Sequence, residues 1–280
     1  MEMMKNSSTL VNKNTIDTIA IGGFDGMHIA HQELFKNLGK NGAIVCIETG
    51  YANLTPKNYR QEYTHYPIYY YVLENIKKLE GTEFVKLLKE DFTALKKIVI
   101  GFDFCFGKNR KYCIDELKKI FDGEVQVISE IKFDEYPIHS RHIREFIKDG
   151  NIKKANKFLG KEYKIYGTTI KGQGLGKSDF VPTINLRIDD FLLPKDGVYI
   201  SKTTIDNIEY NSVSFIGNRK TTDDTFAIET HILDKSIDFN NLNISIKFIE
   251  RIRDNKKFND FIELKNQILN DIDTAKKYFY

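Results

Sequence analysis

The chain has 280 residues, and 42 Lys+Arg against 39 Asp+Glu leave a formal net charge of +3. That length is a prior for about two domains, each able to bury its own core, while 41% hydrophobic and 29% charged residues exclude a disordered chain. So small a charge gives no electrostatic reason for a nucleic-acid partner, and no apolar run nears the ~20 residues that span a bilayer.

The stretch Met1–Ser8 has no apolar h-region, so no signal peptide is expected. Three cysteines, Cys46, Cys105 and Cys113, form no CxxC pair and have no His at metal-ligand spacing. Their odd number reads as a reducing compartment without a disulfide scaffold or structural zinc, and Cys105 reads as a small packing residue. The expectation is a cytoplasmic two-domain protein with no membrane or nucleic-acid partner; oligomeric state is not legible.

In chain order, Thr18–Ile21 reads as a strand stopped by Gly22-Gly23, followed by a helix over His31–Lys40. Ala43–Ile47 is a second buried strand, and helical periodicity predicts helices over Ile68–Leu79 and Glu83–Leu88. The tyrosines around Pro67 (Tyr66, Tyr69, Tyr70, Tyr71) read as that first helix entering the core. Lys97–Ile100 is a strand, Ile114–Phe121 a helix, Glu124–Ile128 a strand, and Ser140–Lys148 and Ile152–Leu159 helices. Strands alternating with helices imply a parallel sheet, whose ligands bind beyond the carboxyl ends of the strands.

After Gly160 the pattern changes to strands: Tyr163–Lys171, Thr183–Ile188, Val198–Thr204, Glu209–Phe215, Phe226–Leu233 and Leu242–Ile249. One helix closes the chain, Asp260–Tyr278, with Phe261, Leu264, Ile268 and Ile272 on one face. This predicts a compact barrel with a helix beside it, and a domain boundary that separates 1–159 from 160–280.

Two segments carry chemistry. Ile21–Gln32 (I-G-G-F-D-G-M-H-I-A-H-Q) follows a strand and opens a helix, where free N–H groups and the helix dipole favour an anion. His28 and His31 share one face of that first turn. A pair of N–H donors there suits a triphosphate, stabilising charge on the α-phosphate and on departing pyrophosphate; on spacing alone, a glycine turn with two histidines explains the segment equally well. Gly167–Gly176 places Gly172, Gly174 and Gly176 two apart, which lets backbone N–H groups close around phosphate. It lacks G-K-[ST] and opens no helix, so by itself it reads as a hairpin loop. Thr183 and Asn185 alternate on the next strand, so their oxygens face one side and suit Mg²⁺.

The first segment resembles the G-x-F-D-G-V-H-x-G-H-Q signature of the adenylyltransferase half of the bacterial bifunctional riboflavin kinase/FAD synthetases, which are HxGH nucleotidylyltransferases. Gly101–Arg110 (G-F-D-F-C-F-G-K-N-R) is similar to the family's G-x-D-F-x-F-G-x-x-R, and Ile138–Arg144 matches I-S-S-T-x-I-R at Ile138, Ser140, Ile143 and Arg144. In the second half, Pro182–Asn185 resembles the P-T-A-N motif of flavokinases. Pro194–Tyr199, Ser214–Arg219, Ile228–Asp234 and Ile252–Phe258 resemble further flavokinase stretches. The first half departs at Gly23 (for Asn), Ala30 (for Gly), His139 (for Ser) and Arg141 (for Thr), and Ile47–Tyr51 stands where the family has F-x-P-H-P.

The resemblance implies a Rossmann-like α/β nucleotidylyltransferase domain, then a six-stranded antiparallel β-barrel flavokinase domain with a terminal helix. It implies ATP contacts at Gly22, Phe24, Asp25, Ser140, Arg144, Gly172, Gly174 and Gly176, with His28 and His31 catalytic. Asp103 and Arg253 are implied flavin contacts, and Thr183 and Asn185 are implied Mg²⁺ ligands. Glu229 is the implied base for the 5′-hydroxyl of riboflavin, with His231 supporting it on the same strand face. The implied substrates are ATP, riboflavin and FMN. Three readings stand open on sequence: both activities, a kinase whose first domain only binds nucleotide, and a flavin-binding regulatory protein without catalysis.

Overall fold

The computed structural model describes residues 12–170, 181–235 and 243–280. Internal contacts divide the chain into two units, Met1–His139 and Ser140–Tyr280.

The first unit runs β1 (Thr18–Gly22), α1 (Ile29–Phe35), β2 (Gly42–Glu48), β3 (Ile68–Val72), α2 (Leu73–Ile76), α3 (Gly81–Asp91), β4 (Lys97–Gly101), α4 (Ile114–Ile120) and β5 (Glu124–Ile128), then a small hairpin of β6 (Lys132–Phe133) and β7 (Tyr136–Pro137). The sheet is parallel, in the order β3-β2-β1-β4-β5. Alternate side chains fill two cores: Ile19, Ile21, Val45, Ile98 and Ile100 on one face, and Ala20, Ile44, Cys46 and Val99 on the other. Burial on both faces explains why these strands read as continuous apolar runs. The strand order reverses at β1, so the carboxyl ends of β1 and β4 flank the crevice where such sheets take ligands.

One element differs from expectation. Ile68–Val72 is not helical; it is an edge strand paired with β2 from Ile44↔Ile68 to Glu48↔Val72, and the helix is confined to Leu73–Ile76. Tyr69 and Tyr71 pack on one face and Ile68 on the other, so aromatic residues that mimic a helical stripe serve a strand, where they are favoured. Helix α1 also stops early, at Phe35, and the turn after it carries Gly39 at φ 64°.

The second unit runs α5 (Ser140–Lys148), α6 (Ile152–Leu159), β8 (Tyr163–Ile170), β9 (Ile184–Arg187), β10 (Gly197–Ile205), β11 (Ile208–Asn218), β12 (Phe226–Ile232), β13 (Asn243–Asp254) and α7 (Phe261–Phe279). The six strands close into an antiparallel barrel, in the order β10-β11-β12-β9-β8-β13. Helix α6 is fastened to the barrel through Asn156, whose Nδ2 donates to the Phe248 carbonyl (2.8 Å) and whose Oδ1 accepts from the Tyr163 N–H (2.8 Å). The barrel strands begin at Tyr163, and α5 and α6 belong to the same unit as the barrel.

Helix α7 docks by its C-terminal half. Ala275, Ile272 and Phe279 pack with Val198, Ile200, Val213 and Ile249, and buried Asp271 pairs with Arg253. Phe261, on the expected packing face, is 54% exposed, because the apolar wall lies under the last turns only.

The barrel interior is partly polar. Ser201, Thr203, Ser212, Ser214 and Thr230 are all 0% exposed. They close a ring of hydroxyls: Ser201–Ser212 2.8 Å, Ser212–Thr203 2.9 Å, Thr203–Thr230 2.9 Å, Thr230–Ser214 3.0 Å and Ser214–Ser201 2.7 Å. Each hydroxyl has one neighbour to donate to and one to accept from, which satisfies it without water. Thr203→Val keeps the shape but leaves Ser212 and Thr230 each a partner short. It should cost about 1–3 kcal/mol of unfolding free energy, read from the urea midpoint at unchanged m-value.

Candidate active sites

The motif after β1 is a strained turn held down by its own apolar side chains. Gly22 has no room for a side chain, since a Cβ would lie 2.9 Å from the Phe24 ring. Phe24 (φ 49°), Gly26 (φ 87°) and Met27 (φ 45°) all adopt left-handed backbone. For the two non-glycine residues this is costly, and the burial of both side chains in the core offsets it. Between them, Asp25 is buried and accepts backbone N–H groups from Asn53 (3.2 Å), Leu54 (3.0 Å) and Thr55 (3.0 Å). Asp25 thus pins the loop that follows β2.

The turn delivers His28 as the N-cap of α1, its Nδ1 accepting the His31 N–H at 3.4 Å. An accepting Nδ1 puts the proton of the neutral ring on Nε2, which is then a donor. The two imidazoles stack at 3.5 Å between centroids with planes 21° apart, and Phe24 meets His31 edge-on at 5.2 Å. Asp103 is exposed just past β4, at the same sheet edge as Gly22. Where the family's F-x-P-H-P run would fall, Glu48 ends β2 and is ion-paired to Arg60, whose side chain is fully buried; the Arg60 guanidinium lies 5.8 Å over the Tyr70 ring. Ser140 and Arg144 lie on the first turns of α5, in the second unit.

The cysteine reading needs correction. Cys105 and Cys113 are joined in a disulfide. An antiparallel bridge between Phe106 and Tyr112 sets the two flanking positions side by side, a proximity that residue counting does not reveal. Cys46 is the free thiol; burial pushes its pKa up to about 12.

In the barrel, Asn185 on β9 and Glu229 on β12 are directly opposite in register. Thr183 is exposed immediately before β9, two positions from Asn185. The glycines expected to cradle phosphate, Gly172, Gly174 and Gly176, lie outside the described residues, as do the expected strand ends Lys171 and Leu242. His231 donates from Nδ1 to the Pro182 carbonyl at 2.8 Å, which fixes the segment carrying Thr183. Arg253 is engaged by Asp271, with Nε 2.9 Å from Oδ1 and Nη2 2.7 Å from Oδ2, while Nη1 donates to the Asp254 carbonyl at 3.0 Å. One face of its guanidinium covers Phe258 at 5.7 Å.

Sequence reasoning gave no role to Arg219, just past β11. Its Nε (2.8 Å) and Nη2 (2.7 Å) both reach Glu229 Oε1, and Nη2 also donates to Asn185 Oδ1 at 2.5 Å. The residue stands inside a quoted motif, but only the strand pairing shows which side chains it meets. The Glu48–Arg60 pair, with its partners separated by a loop, had no sequence signal.

The riboflavin kinase family model matches residues 159–279, and the FAD synthetase family model matches residues 57–142. The chain belongs to the bifunctional riboflavin kinase/FAD synthetase family. It is 29% identical to the bifunctional riboflavin kinase/FMN adenylyltransferase of Buchnera aphidicola subsp. Acyrthosiphon pisum, over 100% of this chain and 98% of that protein. It is 28% identical to the protein of the same description from Haemophilus influenzae, over 93% and 94%. Among solved structures, one described as a macrolide-efflux protein from Streptococcus pneumoniae superposes with a TM-score of 0.81 at 27% identity, covering 94% of each chain. For this family member, that likeness supports the two-unit fold. Among the described residues no helix is long and apolar enough to cross a membrane.

Two outcomes follow from the side-chain environments. Ellman titration of the native oxidised protein should detect no fast thiol. Mild reduction should expose Cys105 and Cys113, with Cys46 reacting only on unfolding. Burial lowers the His231 pKa below its ordinary 6.5, with Lys276 acting in the same direction and the Pro182 carbonyl and Asp234 opposing. The unfolded state then takes up a proton before the folded state does. The stability that neutral His231 contributes is therefore complete above pH 6.5 and lost as pH falls through the lower folded value. The stability advantage of wild type over His231→Gln should shrink across that window in urea melts at stepped pH.

Proposed function

We propose that the chain phosphorylates riboflavin to FMN in its barrel and adenylylates FMN to FAD in its parallel-sheet half, using ATP for both steps. The observation that carries the kinase assignment is the placement of Asn185 opposite Glu229, within the region matched by the riboflavin kinase model. The functional division falls at residue 160, with 1–159 serving FMN adenylylation and 160–280 riboflavin phosphorylation. ATP as co-substrate makes the cytoplasm the compartment this reading requires.

In the barrel, the riboflavin 5′-hydroxyl attacks the γ-phosphorus. The new O–P bond forms as the bond to the β,γ-bridging oxygen breaks, ADP leaves, and the hydroxyl proton passes to Glu229. The Glu229 side chain is 20% exposed, so a substrate hydroxyl can reach it. Phosphoryl transfer depends mainly on positioning and charge neutralisation, so a carboxylate hydrogen-bonded to the hydroxyl suffices as base. The Thr183 hydroxyl and Asn185 Oδ1 are hard oxygen donors, and Asn185 Oδ1 already accepts from a cationic group. They fit Mg²⁺, which when bound neutralises phosphate charge. Gly172, Gly174 and Gly176 complete the phosphate cradle, and Arg253 offers the flavin the guanidinium face turned away from Phe258.

In the first half, a phosphate oxygen of FMN attacks the α-phosphorus of ATP and pyrophosphate leaves. His28 and His31 donate to the departing charge, and Asp103 contacts the flavin. Gly22 and Phe24 shape the nucleotide turn, and Asp25 supports it through its hold on residues 53–55. A kinase with a silent first half and a non-catalytic flavin-binding protein are both disfavoured. The relatives matched over at least 93% of this chain carry both activities in their descriptions.

Product analysis by chromatography tests each half separately. Riboflavin with MgATP should give FMN and then FAD, and FMN with MgATP should give FAD. Glu229→Gln should cut FMN formation by about 10²–10⁴-fold while FMN-fed FAD formation persists; His28→Ala should do the reverse. No FMN from the wild type would end the kinase assignment, and no FAD from FMN would end the adenylyltransferase assignment.

A further inference from the structure

Arg219 leaves the end of β11 and its side chain runs back across β12 to β9. The 219–225 turn fixes its base, with the Arg219 N–H on the Thr225 carbonyl (2.9 Å) and the Thr222 and Asp224 N–H groups on the Arg219 carbonyl (2.9 and 3.2 Å). The guanidinium is then fully engaged. Nε and Nη2 converge on Glu229 Oε1, Nη2 also reaches Asn185 Oδ1, and Nη1 reaches Thr225 Oγ1 (3.1 Å) and lies 3.7 Å from Asp223 Oδ2. Both hydrogen bonds to Glu229 fall on one oxygen, so Oε2 has no partner among the described residues. One guanidinium therefore touches the proposed base and a proposed cation ligand at once.

We propose that Arg219 is a positioning residue of the kinase reaction and a placeholder for the divalent cation. It holds Glu229 by Oε1 so that Oε2 faces the 5′-hydroxyl, and its Nη2 covers Asn185 Oδ1 until a divalent cation takes that oxygen. The inference rests on the kinase reading above. Charge supports it: one guanidinium faces two carboxylates, Glu229 and Asp223, so the cluster carries +1 − 2 = −1 with Arg219 in place. Turning Nη2 away from Asn185 frees one hard oxygen donor beside a cluster that keeps this negative charge, which favours a doubly charged ion. Geometry limits the withdrawal, because Nε can keep its own bond to Oε1 while Nη2 turns away from Asn185.

The test uses the full chain and Mn²⁺ alone as probe, with free Mn²⁺ followed by electron paramagnetic resonance. Arg219→Met removes the competing charge. Without nucleotide it should bind Mn²⁺ about tenfold more tightly than wild type, at a site that Asn185→Ala abolishes. The same variant should lose kcat for FMN formation by about a hundredfold, with KM for riboflavin within about twofold, since uniform binding is untouched. Arg219→Lys keeps one charge but not the two-point hold on Oε1, so both changes should be smaller and in the same directions. It carries the test if Arg219→Met does not fold by thermal melt. Unchanged Mn²⁺ affinity, or unchanged kcat, overturns the inference. A wild type that makes no FMN overturns the kinase reading instead.

Discussion

The pairing of β9 with β12 is the constraint on which the second unit's chemistry depends. Only Asn185↔Glu229 and Thr230↔Ile184 define it, on a strand of four residues. Because side chains alternate, a slip of one position would send Asn185 to the opposite face from Glu229 and bury a polar amide. Two devices outside the ladder oppose that slip. The His231–Pro182 hydrogen bond fixes the entry to β9, and the guanidinium of Arg219 spans β12 and β9. Inside the barrel, the hydroxyl ring ties β10, β11 and β12 together. It gives the short strand a rigid neighbour whose own register is directional and hard to shift.

The first unit meets a comparable demand by different means. Its histidine pair follows a turn whose backbone is unfavourable at Phe24 and Met27, and burial of those same side chains holds it. The strain and the compensation are therefore carried by one motif, so the histidine pair is placed by the core of the sheet rather than by a mobile loop. Asp25 extends this control to residues 53–55 by three backbone hydrogen bonds. That loop lies between Glu48 and Arg60, whose ion pair closes it, so the segment that departs most from the family pattern remains tied to the segment that matches it best.

How much of this was legible depended on whether the signal was local. The parallel sheet, the six-stranded barrel and both ends of α5 and α6 follow from periodicity and turn residues within short windows. The strand β3 did not, because Ile68, Val72, Ile76 and Leu79 recur at helical spacing while Tyr69 and Tyr71 share a strand face, and only the free edge of β2 decides between them. The Cys105–Cys113 pairing depended on a bridge one position inside each cysteine. In the sites, register with the motifs picked out Asn185 and Glu229, while their placement opposite each other on β9 and β12 is seen only in the fold. The residues that touch them, Arg219 above all, are set by strand neighbours far apart in sequence, and no spacing rule reports those.

The two halves divide the donors and acceptors as their nucleophiles require. An FMN phosphate is already ionised at neutral pH, with its second pKa at about 6, so adenylylation needs no base. What it lacks is stabilisation of the departing pyrophosphate, and the stacked His28 and His31 are the N–H donors proposed for it. Riboflavin's hydroxyl is neutral and must lose a proton. The other half accordingly sets the proposed acceptors, Glu229 and Asn185, opposite each other, with the Arg219 guanidinium on Glu229 Oε1 and Asn185 Oδ1. Exchanging the two constellations would fail on charge alone: a carboxylate would repel pyrophosphate as it forms, and a pair of donors would leave the hydroxyl proton with nowhere to go.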